Sequence, residues 1–281
     1  MCNFLKMKKK KNTQGISLKS ITKQILPPFL FKFLKKFIKN KSFVSYATWL
    51  EAENASKGYD SENIIEKIKN SAKLVFDGKA TYERDSVIFS EIQYSYPLLA
   101  SILFVAANSD TFRVIDFGGG LGTTFQQNKI FLTKLKSHCD WRIVEKDKLV
   151  SIGKKEFTNN NLSFYSTIAD AAKNGIDAII FAGVICYICN PYNYLNKAID
   201  VKAPFIIFDR TPIVIGEIDT FAVQYVENSI YKASLPKRNF GYENLIKIFQ
   251  RDYDLIEEWV CDMQPDNNST DMGFIFKRKS M

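Results

Sequence analysis

Asp116, Gly118, Gly120 and Gly122 fall at strict two-residue spacing in Val114-Ile-Asp-Phe-Gly-Gly-Gly-Leu-Gly122, with Gly119 as an additional glycine. Glycine lets a backbone turn sharply and approach a ligand that any Cβ would exclude. The loop follows an apolar strand candidate, Phe112-Arg-Val-Ile-Asp116, and precedes a helical segment opening at Thr123-Thr124. The free N–H groups of that first turn would face whatever the loop holds. A glycine pattern alone is weak; its place between strand and helix strengthens it. The next strand candidate, Trp141-Arg-Ile-Val-Glu145, ends on an acid 29 positions after Asp116. In doubly wound sheets an acid at that tip accepts hydrogen bonds from ribose hydroxyls. The alternative is a surface glutamate at a strand end. Together the loop and the acid predict a nucleotide-cofactor site.

These residues need a sheet to position them. Five runs predict its strands: Phe112–Asp116, Trp141–Glu145, Leu162–Tyr165, Asp177–Ala182 and Pro204–Asp209. Helix-length segments separate most of them, as βαβ units require. A helix near Tyr242 to Arg251 leads to Tyr253–Trp259, and Met272–Lys277 closes the chain, so the last two strands predict an antiparallel hairpin at the sheet edge. Residues 111–281 are therefore expected to form a Rossmann-like α/β domain. Residues 43–110 read as a mostly helical cap, with a run at helical spacing through Tyr94, Leu98, Leu99 and Leu103.

Which cofactor the loop suits follows from its spacing. A dinucleotide fingerprint requires a third Gly or Ala two residues beyond the second glycine; counted from Gly118 and Gly120, that place holds Thr123. The Asp-x-Gly-x-Gly-x-Gly form instead suits S-adenosylmethionine, and a terminal strand hairpin is common among methyltransferases. An NAD(P)-dependent oxidoreductase is the less favoured alternative.

The chain resembles a family of class I methyltransferases associated with bacterial surface-polysaccharide genes. The matching stretches are Gly58-Tyr59-Asp60, Tyr82-Glu-Arg-Asp-Ser86, Asp116 to Gly122, Trp141 to Glu145, Asp209-Arg-Thr-Pro212, Ile230-Tyr-Lys-Ala-Ser234 with Pro236, and Gly273-Phe-Ile-Phe276. They run in the family's order over residues 47–278. Two departures stand out: Gly120 occupies a serine position, and the segment after Pro236 lacks the family's aromatic residue, which points to a different acceptor. The resemblance implies a class I fold and methyl transfer to a small or saccharide-linked acceptor in polysaccharide biosynthesis.

Ligands of such sheets sit beyond the carboxyl ends of the strands. That gathers Glu145, Gly183 and Val184, and Asp209-Arg210-Thr211 around one crevice, with Phe181 to Tyr187 walling the adenine and methyl region. Asp209 is the first choice for a general base, with Arg210 orienting a polar or anionic acceptor; a structural ion pair is the alternative. Arg84 and Asp85 are expected to close over the crevice, and Tyr231 and Gln224 to line the acceptor pocket. His138, the lone histidine, precedes the second strand at the sheet's other end.

The charge is unevenly placed. The net charge is +9, yet residues 1–42 hold twelve Lys and no Arg or acid, leaving 27 basic against 30 acidic residues elsewhere. A basic groove over the fold, and hence a nucleic-acid partner, is not expected. Phe29 to Lys39 forms an apolar helical face edged with lysines, which suits contact with an anionic membrane; a helix docked on the body is the alternative. A non-catalytic scaffold at the inner membrane surface is therefore a second reading of the chain. Five cysteines without framework spacing suit a reducing, cytoplasmic setting. Cys186-Tyr-Ile-Cys189 lacks a second pair, so no metal is expected.

Overall fold

The computed structural model describes residues 43–58, 62–107, 111–226, 233–261 and 269–280. The lysine-rich arm and its amphipathic segment, Tyr59 and Asp60 of the first family stretch, and Tyr231 lie outside these residues. The fold is built on β4 (Thr111–Phe117), β5 (His138–Val144), β6 (Leu162–Tyr165), β7 (Ala178–Ala182) and β8 (Phe205–Val214). They pair in parallel in the order β6-β5-β4-β7-β8. Both faces of this sheet are buried, so its strands read as continuous apolar runs. Side chains alternate between faces: Val114, Ile143, Ile180 and Ile207 enter one core, whereas Ile115, Ile179, Ile206 and Phe208 enter the other.

The connections are helical: α4 (Thr123–Leu132), α5 (Asp147–Glu156), α6 (Ile168–Ala172) and α7 (Pro191–Asp200) follow β4, β5, β6 and β7 in turn. From β4 the chain moves outward to β5 and β6, then crosses back to place β7 on the other side of β4. That reversal is the topological switch point, where open α/β sheets bind ligands. Helix α8 (Tyr242–Phe249) buries Leu245 and Phe249 and leads into β11 (Tyr253–Val260). Strand β12 (Thr270–Arg278) then inserts antiparallel between β8 and β11. The mixed α/β Rossmann-like sheet and its terminal hairpin are thus as expected from the sequence.

Three features differ from the sequence reading. β8 runs to Val214, and beyond Asp209, where β7 stops, β10 (Ser234–Gly241) takes the vacated side through Phe240 and Gly241. β10 pairs antiparallel with β9 (Thr220–Tyr225), which pairs with β1 (Phe43–Tyr46). The cap region is less helical than expected. Besides α1 (Trp49–Ala55), α2 (Glu62–Phe76) and α3 (Tyr96–Ala106), it supplies β1 and a hairpin of β2 (Tyr82–Arg84) and β3 (Val87–Phe89). Helix α3 begins only after Ser95, with Pro97 in its first turn, where a missing N–H leaves no bond unmade. Among the described residues no helix is long and apolar enough to cross a membrane.

Candidate functional site

Strand β4 carries Asp116 to the switch point and hands over to the glycine loop. Gly118 has φ +67°, and its N–H donates to Val144 O at the end of β5 (2.8 Å). A Cβ on Gly118 would stand 2.2 Å from Val184 Cγ2, and one on Gly119 would stand 2.5 Å from the Asp116 carboxylate. The loops after β4 and β7 therefore touch, with no room for a side chain between them. Gly120 faces open space, and Gly122 caps α4 without a side-chain acceptor. Thr123 and Thr124 begin the helix, as the sequence indicated.

Asp116 lies beneath this loop. It is buried, and Trp141 Nε1–H donates to its Oδ2 at 3.1 Å. Burial pushes its carboxyl up to about 7, opposed by the Trp141 bond and the Arg210 charge. Glu145 is the first residue past β5: its N–H donates to Tyr165 O (3.1 Å), and its carboxylate, partly exposed, accepts from Lys146 N (2.7 Å). Across the switch point, Gly183 (φ +65°) donates its N–H to Asp209 O at 2.8 Å and carries the chain into the 3₁₀ turn Ile185–Tyr187. The Tyr187 hydroxyl donates to Gln224 Oε1 at 2.7 Å, which joins Gln224 of β9 to the turn after β7.

Asp209 and Arg210 occupy an irregularity in β8. Met272 pairs with Thr211 and Phe274 with Phe208, so Asp209 and Arg210 together oppose the single residue Gly273. Two residues against one is a β-bulge, which bends a strand and re-aims its side chains. Arg210 takes φ +53° to make it. Adjacent residues of a regular strand point to opposite faces; here Arg210 Nη1 comes within 3.7 Å of Asp209 Oδ2. Asp209 is fully buried, and its Oδ1 accepts from Ser95 Oγ (2.9 Å), Trp259 Nε1 (3.3 Å) and Cys261 Sγ (3.6 Å). Trp259 reaches it across Gly273, where a Cβ would stand 2.1 Å from the indole. Burial pulls the Arg210 guanidinium down, but the negative charge of Asp209 beside it, with that of Asp85, more than offsets this, so Arg210 remains a cation.

The hairpin β2–β3 sits at the loop's other side. Its two-residue turn, Asp85 and Ser86, has φ +52° and +65°, the left-handed pair of a type I′ turn. Glu83 is buried and accepts from Thr123 Oγ1 and from Ser86 N, which ties the hairpin to the first turn of α4. Gln127 of α4 approaches the Tyr82 hydroxyl at 3.4 Å. Of the two residues expected to close over the crevice, Asp85 stands exposed in the hairpin turn. Arg84 instead donates to Gln93 Oε1 (2.8 Å) and lies over the Phe89 ring. Glu83 and Lys237 are the residues that sequence reasoning passed over. Glu83 was signalled only by its place inside Tyr82-Glu-Arg-Asp85. Lys237, buried and near Cys186, whose thiol burial pushes up to about 12 against the opposing Lys237 charge, had no signal. His138 opens β5 at the far end of the sheet. Cys186 is buried and Cys189 exposed, both free, and no group of metal-ligating side chains occurs among the described residues.

The class the fold defines is a Rossmann-like α/β sheet with a glycine loop at its switch point. No protein-family model matches the chain, and no curated protein sequence matches it. Among solved structures it is similar to the N-terminal domain of EvdMO1, in the presence of SAH and D-fucose, at 13% identity, 79% coverage of this chain, 99% of that one and a TM-score of 0.46. It is similar to an S-adenosylmethionine-dependent methyltransferase from Clostridium acetobutylicum ATCC 824 at 10% identity, with 67% and 93% coverage and a TM-score of 0.42. The [4+2]-cyclase SpnF is similar at 9% identity, with 76% and 94% coverage and a TM-score of 0.47.

Proposed function

We propose that this chain is an S-adenosylmethionine-dependent methyltransferase acting on a small or saccharide-linked acceptor. The observation that carries the reading is the glycine loop at the switch point: Gly118 and Gly119 let it pack directly on Val184 and Asp116, and Gly120, at φ +59°, presents bare backbone with no atom within 4 Å. Backbone open on that side fits a cofactor lying on the loop. In this reading Asp116, Gly118, Gly119, Gly120 and Gly122 form the cradle of the aminoacyl part. Glu145 takes the ribose hydroxyls, and Gly183 with Val184 walls the reacting end. When bound, the cofactor supplies a methyl group on a sulfonium, ready for in-line displacement by an acceptor oxygen or nitrogen.

The chain's own part is positioning, which accounts for much of the acceleration in such transfers. A general base must come within hydrogen-bond reach of the acceptor. Asp209 is fully buried and already takes three donors, so we assign it the ion-pair role: it holds Arg210. Arg210 and Asp85 are the charged groups left to face the acceptor, and Arg84 braces the hairpin that carries Asp85. The polysaccharide context rests on the family resemblance. A cytoplasmic setting, with residues 1–42 touching an anionic membrane, rests on the sequence of the arm.

Calorimetric titration of the full chain tests the reading. S-adenosylmethionine should bind, and Glu145→Ala should weaken it roughly tenfold or more, the worth of a charge-assisted hydrogen bond. Binding of NAD without binding of S-adenosylmethionine would overturn it. Glycans of cells lacking the gene should lose a methyl group, which would identify the acceptor.

A further inference from the structure

Arg210 is a half-buried cation held in a left-handed conformation, and among the described residues most of its donors have no partner. A non-glycine residue in that region is strained, and glycine at the same bulge would avoid the strain. If Arg210 served only as counter-ion to Asp209, its fork would close on Asp209 Oδ2, a buried oxygen with no hydrogen-bond partner. It stays 3.7 Å away. Among the described residues the guanidinium makes one long hydrogen bond, Nη2 to Ala182 O at 3.4 Å. Its Nε lies over Gly183, 3.2 Å from where a Cβ would stand. The bulge thus turns the fork toward the carboxyl end of β7, the end of the sheet where the methyltransferase reading puts the acceptor, and the absent Cβ of Gly183 leaves it room.

We infer that Arg210 anchors the acceptor and that the acceptor carries an oxyanion group, a carboxylate or a phosphate; this rests on the methyltransferase reading above. The planar fork matches two oxygens of either group, which a single ammonium or a neutral donor does not. Asp209 acts through Arg210: with Oδ1 fixed by Ser95, Trp259 and Cys261, it sets the position of the charge without saturating its donors. The acceptor's anionic group is therefore held at Arg210 while the rest of the molecule extends toward the cofactor loop.

The test is calorimetry on the full chain, with and without S-adenosylhomocysteine, using glucuronate, glucose 1-phosphate and glucose as probes. An anionic probe should bind roughly tenfold or more tightly than glucose, and which of the two binds better distinguishes carboxylate from phosphate. Arg210→Gln should remove that preference and leave the weaker affinity for glucose in place. Arg210→Lys keeps a counter-ion for buried Asp209 and decides the matter should the glutamine variant not fold. It should also lose about tenfold in anion affinity, because the fork is gone. Equal binding of all three sugars, no binding of either anion, or unchanged anion affinity in a folded Arg210 variant would overturn the inference. Failure of S-adenosylhomocysteine to bind would instead overturn the cofactor reading, and the titrations without it still report on Arg210.

Discussion

Asp116 offers a perturbation whose sign and size follow from the structure. Its carboxyl rises from 3.8 to about 7, burial being the largest cause. An acid raised in this way binds its proton more tightly in the folded chain than in the unfolded one. Between about pH 4 and pH 7 folding therefore takes up a proton, and the stability tied to this group is greatest below that window. It falls as pH rises through the window and is lost above it. At 1.36 kcal/mol per pH unit the rise corresponds to about 4 kcal/mol. Asp116→Asn keeps the side chain's shape and an oxygen for Trp141 Nε1–H, but it cannot ionise. Urea unfolding of both proteins across the window gives the difference in free energy at each pH. Near the acid end the two should differ little; above neutrality the variant should be the more stable, by a margin approaching 4 kcal/mol. Glu83, also raised by burial, titrates in both proteins and cancels in the difference. A difference that stays flat, or that favours the parent as pH rises, would refute the view of Asp116 as a desolvated acid whose hydrogen bonds do not offset its burial.

Two further predictions concern packing. Gly118→Ala combines a 2.2 Å approach to Val184 with a left-handed backbone, and should cost about 3 kcal/mol in denaturant unfolding. Adding Val184→Ala should restore part of that, because it removes the 2.2 Å approach of Cγ2 but leaves the 2.9 Å approach of Val184 Cβ and the backbone strain. Arg238 pairs with Asp219 at 2.7 Å between the rings of Trp49, Tyr192 and Phe221. Arg238→Gln strands a nearly buried carboxylate and should cost about 3–5 kcal/mol by thermal or denaturant melts. Asp219→Asn in the same chain should then add little, since the partner charge is already gone.

The parallel core is legible in the sequence because a strand buried on both faces has to be apolar throughout, and β6 appears with the bounds expected of it, Leu162–Tyr165. β10 is not legible for the converse reason. Ser234-Leu-Pro-Lys-Arg-Asn-Phe-Gly241 carries a proline and two cations in succession, the composition of a loop. Its position in the sheet is made possible by groups distant in sequence: the aromatic rings around Arg238, Asp219, and the Phe43 ring beneath Lys237. β1 depends still more on distance, because Phe43 finds its partner in Gln224. Four residues have too little pattern of their own to announce such a pairing.

The site divides along the same line. The glycine loop is legible because its requirement is local: the backbone there must turn and stay bare, and residue type reports both. The acid–base pair of β8 is a different case. Asp209 and Arg210 read as neighbours on a strand tip, and neighbours in a regular strand project to opposite faces, so the sequence offers a base and an orienting cation as separate groups. Only the bulge opposite Gly273 sets them side by side, and it does so by forcing Arg210 into a conformation its residue type disfavours. A sequence pattern cannot signal a bulge whose left-handed position lacks the usual glycine. The same departure that hides the geometry also gives it meaning. A glycine would satisfy the backbone, so the guanidinium kept at that position, short of closing on Asp209, is where a ligand's charge is to be sought.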